Sequence, residues 1–341
     1  MIGIDGAIGG GSVLRIGVGL AVALGQAIKI YNVRQGRPKP GLQAQHLAGL
    51  LAVADLCDAK LEGAELGSCE VEFSPGEIQK DKIRLEIATA GAVGLALQPL
   101  QIACLKASHP VEVEIEGGGT FGAWAPPAPY IQHVNFSLLE KFGFQAQLNV
   151  ERHGFYPKGG ARAMAKFWPP QRQSPIVLEG RDKLLKIEGV SIASQHLAKA
   201  KVVERQIQGI YRVLNQAFFE VPIELKEQYV ESRSPGSAVA LWAVCEKTIL
   251  GADALGERGV PAEQVGQKAA ESLVNELRSD ATVDKHMADQ LIPFLALYGG
   301  SFICSELTDH IKTNIYVAEK LTGKKFAVED RKIVFDPEAR E

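Results

Sequence analysis

The sequence predicts an α/β fold built from three repeated units, the third of which is interrupted by a smaller inserted domain. A helix end, a short strand, a turn and a second strand follow one another at three places, which begin at Val53, Leu138 and Val317. Apolar residues alternate with period two in these strands, as at Val71 and Phe73, and this alternation is typical of half-buried strands. The units are unevenly spaced, and the extra chain length predicts the insertion.

The position of the insertion follows from the predicted helix ends near Asp58, Gly143 and Gly323. The first two lie 85 residues apart and the last two 180 residues apart, which is an excess of 95 residues. We therefore predict a large domain of residues 1–181 and 280–341 and an inserted α/β domain of residues 182–279.

Apolar residues between the strands recur with the 3.6-residue period of helices that bury one face. The segment Val13–Ile30 contains Arg15, Gln26 and Lys29 and falls short of the ~20 uninterrupted apolar residues that a membrane span needs. We interpret it as a buried helix. The other predicted elements are helices at Gln43–Leu56, Ala92–Leu105, Val203–Phe218, Pro261–Arg278, Met287–Tyr298 and Thr313–Leu321, and a strand at Ala238–Glu246.

The composition is that of a soluble protein, with 46% hydrophobic and 23% charged residues in 341. A net charge of −3 argues against a protein that coats nucleic acid through bulk charge, but a few local cations suffice to grip one end. Five scattered cysteines form neither a disulfide framework nor a zinc site. We expect a cytoplasmic protein without membrane association, and a homo-oligomer is compatible with the sequence.

A glycine-rich turn follows the first predicted strand, in the segment Ile4–Arg15, IDGAIGGGSVLR. A turn of this kind at a helix start presents backbone N–H groups that suit an anion. It is not a Walker A loop, because no Gly-Lys-Ser/Thr follows. Many glycine turns are only turns, so this segment alone decides nothing.

Three cations lie within the proline-rich loop of VRQGRPKPGLQAQH: Arg34, Arg37 and Lys39. Prolines restrict the loop, and arginine presents paired donors to phosphate oxygens. We interpret these three residues as a phosphate clamp; the alternative is a solvated loop.

A histidine stands at a predicted helix start in SELTDHIKTN, at His310. The positive end of the helix dipole favours the neutral imidazole, which can attack a phosphorus atom and form an N–P bond. A single histidine is more often structural, and the residue pattern alone leaves that alternative open.

Two loops place aromatic residues beside turn residues. In Arg152–Gly160, RHGFYPKGG, the aromatics suit a base and its phosphate or simply pack a hairpin. The Gly- and Pro-rich segment Gly117–Tyr130 contains Trp124 and provides either a stacking platform or a buried loop.

Taken together, these segments resemble the RNA 3′-terminal phosphate cyclase family. The resemblance runs in the same order from Ile2 to about Asp336 and is strongest in RQGRPKPGL, GAELGS, APPAPYI, RHGFYPKGG, ADQL and DHIKTNI. It implies an α/β fold of the α+β type, in which three repeated βαβαββ units form a large domain that carries a smaller inserted α/β domain. It also implies ATP as substrate, Mg²⁺ or Mn²⁺ as metal, and RNA 3′-phosphate ends as partners.

The resemblance assigns roles to single residues. His310 matches the family's nucleophile, which carries AMP covalently before AMP moves to the RNA 3′-phosphate and the 2′-OH closes the ring. His286 stands where many members have a tyrosine that stacks on adenine, and Pro127 forms the opposite wall. The implied ATP-binding residues are Gln98, Pro127, His286, Met287, Ala288, Asp289 and Gln290, and the implied phosphate- and RNA-binding residues are Arg15, Arg34, Arg37 and Lys39.

One segment departs from the family. Members usually read DGxxGEGGGQxLR, whereas this chain has DGAIGGGSVLR, without the Glu and the Gln. The metal ligands are therefore unknown. A catalytically inactive cyclase-like RNA-binding or ribosome-assembly protein stays an alternative, as does an enolpyruvyl transferase-like enzyme. A lysine nucleotidyltransferase using Lys186 in KIEG is a third.

Overall fold

The computed structural model describes residues 1–123, 125–171, 174–217 and 219–338. It confirms a mixed α/β protein in which helices pack on several small mixed sheets. No helix within these ranges is long and apolar enough to cross a bilayer. Trp124 and Phe218, which entered two of the predictions above, lie outside the described residues.

The first sheet has the strand order β1-β2-β4-β3. Strand β1 runs parallel to β2, whereas β4 is antiparallel to both of its neighbours. Helix α1 connects β1 to β2, and helix α2 connects β2 to β3. The bounds are β1 Ile2–Asp5, α1 Ser12–Leu24, β2 Ile28–Tyr31, α2 Ala44–Leu56, β3 Lys60–Glu62 and β4 Val71–Ser74.

The second sheet has the order β5-β6-β8-β7, with the first pair parallel and the others antiparallel. A helix connects β5 to β6, and a helical segment with a π-helical centre at Ile131–Phe136 connects β6 to β7. The bounds are β5 Lys82–Ala92, α3 Val93–Ala103, β6 Val111–Gly119, α4 Ala128–Tyr130, α5 Ser137–Glu140, β7 Ala146–Arg152 and β8 Arg162–Phe167.

A third sheet follows the short strand β9, Ile176–Val177, with the order β11-β10-β12-β13. Strands β10 and β11 are parallel, and the remaining pairs are antiparallel. The helices α6 and α7 pack closely on each other. The bounds are β10 Leu184–Ser194, α6 Val202–Gln216, β11 Ile223–Val230, β12 Ser237–Cys245, β13 Ile249–Leu255 and α7 Ala262–Arg278.

The last sheet returns to β9, which pairs in parallel with β14. Strand β16 lies antiparallel between β14 and β15. Helix α8 precedes β14, and helix α9 follows it. The bounds are α8 Lys285–Tyr298, β14 Gly300–Ile303, α9 Asp309–Thr322, β15 Ala327–Glu329 and β16 Lys332–Phe335.

Three apolar clusters hold the described chain together. One is shared by the first, second and last sheets with helices α1–α3, α8 and α9. A second lies within the third sheet and its helices. The third joins the opposite face of that sheet to the β6–β7 connection, through Tyr130 and Val134, and His133 stacks on Trp242 there with ring centroids 4.3 Å apart.

The prediction of one helix over Val13–Ile30 is wrong at its C-terminal end. Helix α1 ends at Leu24, because Gly25 adopts the left-handed conformation (φ +66°) that terminates helices. The alternating residues Ile28 and Ile30 are buried in β2 instead. By contrast, the helix predicted at Gln43–Leu56 is confirmed as α2.

Candidate active site

A cavity of about 480 Å³ opens where α1, α3, α8 and α9 meet β13 and α7. This volume lies within the range of small-molecule sites. Residues far apart in the sequence therefore line one space. The predicted site residues that line it are Arg15, Gln98, His286, Asp289, Gln290 and His310.

His310 is the second residue of α9 and is exposed at the cavity. Thr308 caps the helix, its Oγ1 accepting a hydrogen bond from the N–H of Ile311 at 3.3 Å. Partial burial lowers the pKa of His310, and the positive charges of Arg15 and Arg37 lower it further. The imidazole is therefore predominantly neutral at pH 7, as a nucleophile requires.

Arg15 projects from α1 into the same cavity. Its Nε donates a hydrogen bond to Oε1 of Gln98 at 2.8 Å, which fixes the direction of the guanidinium. Burial lowers the pKa of Arg15 to about 10, although the carboxylate of Asp289 acts in the opposite sense. The group keeps its charge at neutral pH and is poorly solvated, so an anion would bind it strongly.

The glycine-rich turn brings the phosphate-clamp loop to α9. A Cβ atom on Gly9 would collide with the side chain of Thr313, and one on Gly11 would collide with the ring of His46. A Cβ on Gly10 would lie 3.1 Å from a guanidinium nitrogen of Arg37. Glycine thus lets the turn come into close contact with the loop of Arg37, with α2 and with α9.

The three clamp cations differ in their surroundings. Nη1 of Arg34 donates to the carbonyl oxygens of Lys39 and Gly41, at 2.7 and 3.0 Å. Arg34 therefore braces the loop from within, and a direct phosphate contact by it stays a prediction. Arg37 and Lys39 are exposed, and no ion pair is found for either in the described part of the chain.

Asp284 is fully buried at the start of α8, beside the cavity. Its Oδ1 accepts hydrogen bonds from the N–H groups of His286 and Met287, both at 3.0 Å, and from the hydroxyl of Tyr130 at 2.7 Å. Its Oδ2 accepts from the N–H of Gly251 at 2.8 Å. One carboxylate therefore connects α8, the β6–β7 connection and β13.

Three residues predicted to contact ATP do not line the cavity. Met287 and Ala288 are buried in the core on the inner side of α8. Pro127 is buried where its carbonyl oxygen accepts from the N–H of Ile131, at 3.1 Å, and its neighbour Pro126 lines the cavity instead.

An acidic wall of three residues, Asp253, Glu276 and Asp289, lies along the cavity. Burial raises the pKa of Asp253 to about 6 and the pKa values of Glu276 and Asp289 to about 7, and the charge of Asp284 contributes in each case. The sequence analysis did not identify Asp253 and Glu276. The only signal for Asp253 was a carboxylate within an otherwise apolar strand.

The raised pKa values of the acidic wall predict a stability effect. The folded state binds more protons than the unfolded state between about pH 4 and 7, so stability falls as pH rises through that range. At pH 8 we expect Asp253→Asn to melt at a higher temperature than wild type. Its free energy of unfolding should be larger by on the order of 1 kcal/mol. At pH 4 the two proteins should unfold alike. Thermal melts at both values check this, and equal melting at pH 8 contradicts it.

Among the residues that the structure describes, no group of three or more His, Cys, Asp or Glu side chains is arranged to hold an ion. Magnesium in nucleotide enzymes is held largely by the substrate phosphates, with one or two carboxylates.

Lys186, the alternative lysine nucleophile, lies on β10 away from the cavity. Its Nζ pairs with Glu188 at 3.0 Å, and this contact raises its pKa. A lysine nucleophile needs a lowered pKa, so the surroundings of Lys186 argue against that mechanism.

Comparison with known proteins identifies close relatives over almost the whole chain. A sequence model of the family RNA 3′-terminal phosphate cyclase matches residues 7–328. Proteins named RNA 3′-terminal phosphate cyclase from Pyrococcus furiosus and Thermococcus onnurineus are each 42% identical to the chain. These alignments cover 96% of this chain and 95% and 96% of the relatives. The protein of that name from Hyperthermus butylicus is 43% identical, over 94% of this chain and 91% of its own length.

Proposed function

Since the chain belongs to the RNA 3′-terminal phosphate cyclase family, we propose that it uses ATP to convert an RNA 3′-phosphate into a 2′,3′-cyclic phosphate. One observation carries the proposal: the neutral imidazole of His310 shares a cavity with the guanidinium of Arg15. A nucleophile and a cation in one space suit attack on a phosphate ester.

In the first step, an imidazole nitrogen of His310 attacks the α-phosphorus of ATP. The N–P bond forms as the bond to the bridging oxygen of the β-phosphate breaks, and pyrophosphate leaves. Arg15, held by Gln98, offsets the charge that develops on the α-phosphate. Its charge also keeps His310 neutral before the attack.

In the second step, an oxygen of the RNA 3′-phosphate attacks the same phosphorus, and the N–P bond breaks. In the third, the neighbouring 2′-OH attacks the 3′-phosphorus, loses its proton and expels AMP. The 2′-OH is already held beside its target, so little entropy is lost when the ring closes. The exposed side chains of Arg37 and Lys39 would bind the RNA phosphate.

The adenine would stack on His286, whose ring meets the Tyr130 ring edge-on at a centroid distance of 6.5 Å. Pro126, rather than Pro127, is the proline that lines this space. Asp289 and Gln290 follow on the same helix and would accept hydrogen bonds from the ribose hydroxyls. Mg²⁺ or Mn²⁺ would enter as the complex with ATP, held mainly by phosphate oxygens.

The proposal extends to the architecture. The first, second and last sheets share one order of elements, βαβαββ, and one pattern of strand directions. This agreement supports three repeated units in residues 1–181 and 280–341. The separate apolar cluster of the third sheet supports an inserted α/β domain at residues 182–279. Cytoplasmic location and assembly into a homo-oligomer stay predictions.

Incubation with α-labelled ATP and Mg²⁺ tests the chemistry. We expect an acid-labile label on the protein, its release by RNA with a 3′-phosphate, and an RNA product whose terminal phosphate resists phosphatase. The second candidate, an inactive RNA-binding relative, is favoured by the glycine-rich turn without the family Glu. It predicts RNA binding with neither label nor cyclic product.

The clamp gives a further prediction. Because Arg37 is exposed and its charge acts on His310, we expect Arg37→Ala to lower kcat/KM for RNA about tenfold, since one charge-assisted hydrogen bond to phosphate is removed. Self-adenylation should fall less, although Arg37 acts on His310. Titration of RNA against pre-adenylated protein checks this. Equal losses in both steps would contradict the clamp interpretation.

A further inference from the structure

The two adjacent aromatic residues of the turn RHGFYPKGG differ in their surroundings. Phe155 is buried and stacks on Phe121, with ring centroids 5.3 Å apart and planes 7° apart. Tyr156 next to it is 81% exposed. Packing therefore accounts for the first ring and leaves the second ring free to stack on a base.

The turn is held rigidly by the segment between β11 and β12. The N–H of Lys158 donates to Oγ of Ser234 at 3.1 Å, and the N–H of Gly159 donates to the carbonyl of Phe155 at 2.8 Å. Gly160 has φ +81° and lies against the side chain of Arg233, so a larger residue does not fit. A ligand that binds this turn loses little entropy in ordering it.

Positive charge gathers around the turn although the whole chain has a net charge of −3. Arg152 and Arg162 share one carboxylate, that of Glu116, at 3.5 and 3.1 Å. Lys158 and Arg233 are exposed and have no ion pair in the described ranges. The surplus of cations suits a phosphate backbone.

The turn adjoins the cavity through the chain segment that follows β6. The N–H of Thr120 donates to the carbonyl of Gly154 at 3.0 Å, and its Oγ1 lies 3.0 Å from Nδ1 of His153. Three residues further, Ala123 lines the cavity. Three residues span at most about 11 Å. An RNA strand whose 3′ end lies in the cavity would therefore reach the turn within a few nucleotides.

We propose that Tyr156, Lys158 and Arg233 form a binding surface for single-stranded RNA on the 5′ side of the reacting end. Tyr156 stacks on an unpaired base, and the two cations contact phosphates. The inference rests on the proposed function, because it is the RNA 3′-phosphate that enters the cavity.

Equilibrium binding of fluorescein-labelled RNA with a 3′-phosphate tests the surface without any need for catalysis. We expect the wild-type protein to bind a decanucleotide more tightly than a dinucleotide. Tyr156→Ala should weaken decanucleotide binding at least fivefold and leave dinucleotide binding and self-adenylation unchanged. The double variant Lys158→Ala, Arg233→Ala should reduce the slope of log affinity against log salt by roughly 0.7 for each phosphate that is no longer neutralised.

Lys199→Ala is the matched control, because Lys199 is exposed on the short 3-10 helix Gln195–Ala200 before α6 and has no ion pair in the described chain. It should bind both RNAs like wild type. Equal wild-type affinity for the two lengths, or unchanged decanucleotide binding by Tyr156→Ala, overturns the surface. A protein that binds the decanucleotide through Tyr156 but forms no cyclic phosphate retains the surface and overturns the proposed function.

Discussion

His310→Ala should abolish self-adenylation while the protein stays folded. His310 is exposed at the cavity, and its side chain forms no part of the apolar core, so truncation leaves no buried cavity behind. The variant removes the proposed nucleophile, and we expect the labelled adduct to fall below detection. Thermal melting should match wild type within about 0.5 kcal/mol.

His196→Ala provides the control, since His196 is an exposed histidine between β10 and α6. It should label like wild type. The lowered pKa of His310 adds a pH test: the loss of self-adenylation that protonation of the imidazole causes should occur at a pH below the ordinary pKa of histidine. Full cyclisation by His310→Ala would refute the histidine mechanism.

Asp284→Ala should have the largest effect on stability. The substitution leaves the hydroxyl of Tyr130 and the N–H of Gly251 without an acceptor in a buried place, and it removes the cap of α8. Buried groups without partners cost roughly 1–3 kcal/mol each, so we expect a decrease on the order of 3 kcal/mol in free energy of unfolding. Denaturant titration measures it.

The same variant should also weaken ATP use, because Asp284 positions the first turn of α8, which carries His286. Asp284→Asn retains one acceptor oxygen and should show a smaller decrease. Asp81→Ala is the matched control, since Asp81 is exposed and has no ion pair in the described chain. Asp284→Ala with wild-type stability would show that the four hydrogen bonds contribute nothing.

Much of the pattern of strands and helices could be predicted from sequence, because it rests on local signals. Alternation of apolar residues identified the strands β4, Val71–Ser74, and β16, Lys332–Phe335. Helical periodicity identified α2 almost to the residue. The error in Val13–Ile30 arose because hydrophobicity continues across Gly25, from a buried helix into a buried strand. The φ of that glycine decides the boundary, and mean hydropathy does not reveal it.

The candidate site was predicted less completely. His310 came from a motif, the family resemblance implied Arg15 and Gln98, and all three line the cavity. Asp253 and Glu276 were missed because the segment that forms β13 and α7 carries no motif, and only folding brings it to the cavity. A short motif such as HMADQ cannot say which of its residues face inward; helix geometry turns Met287 into the core.

The charges that line the cavity also affect how a ligand approaches it. The cavity is positive at Arg15, which is buried and keeps its charge at neutral pH, whereas Asp253 and Glu276 share their part of the lining with Lys268 and Lys285, which offset their charge. A molecule with a polyanionic tail and a neutral head therefore experiences a torque as it approaches and enters tail-first toward α9. Such electrostatic alignment selects the direction of entry before any specific contact forms.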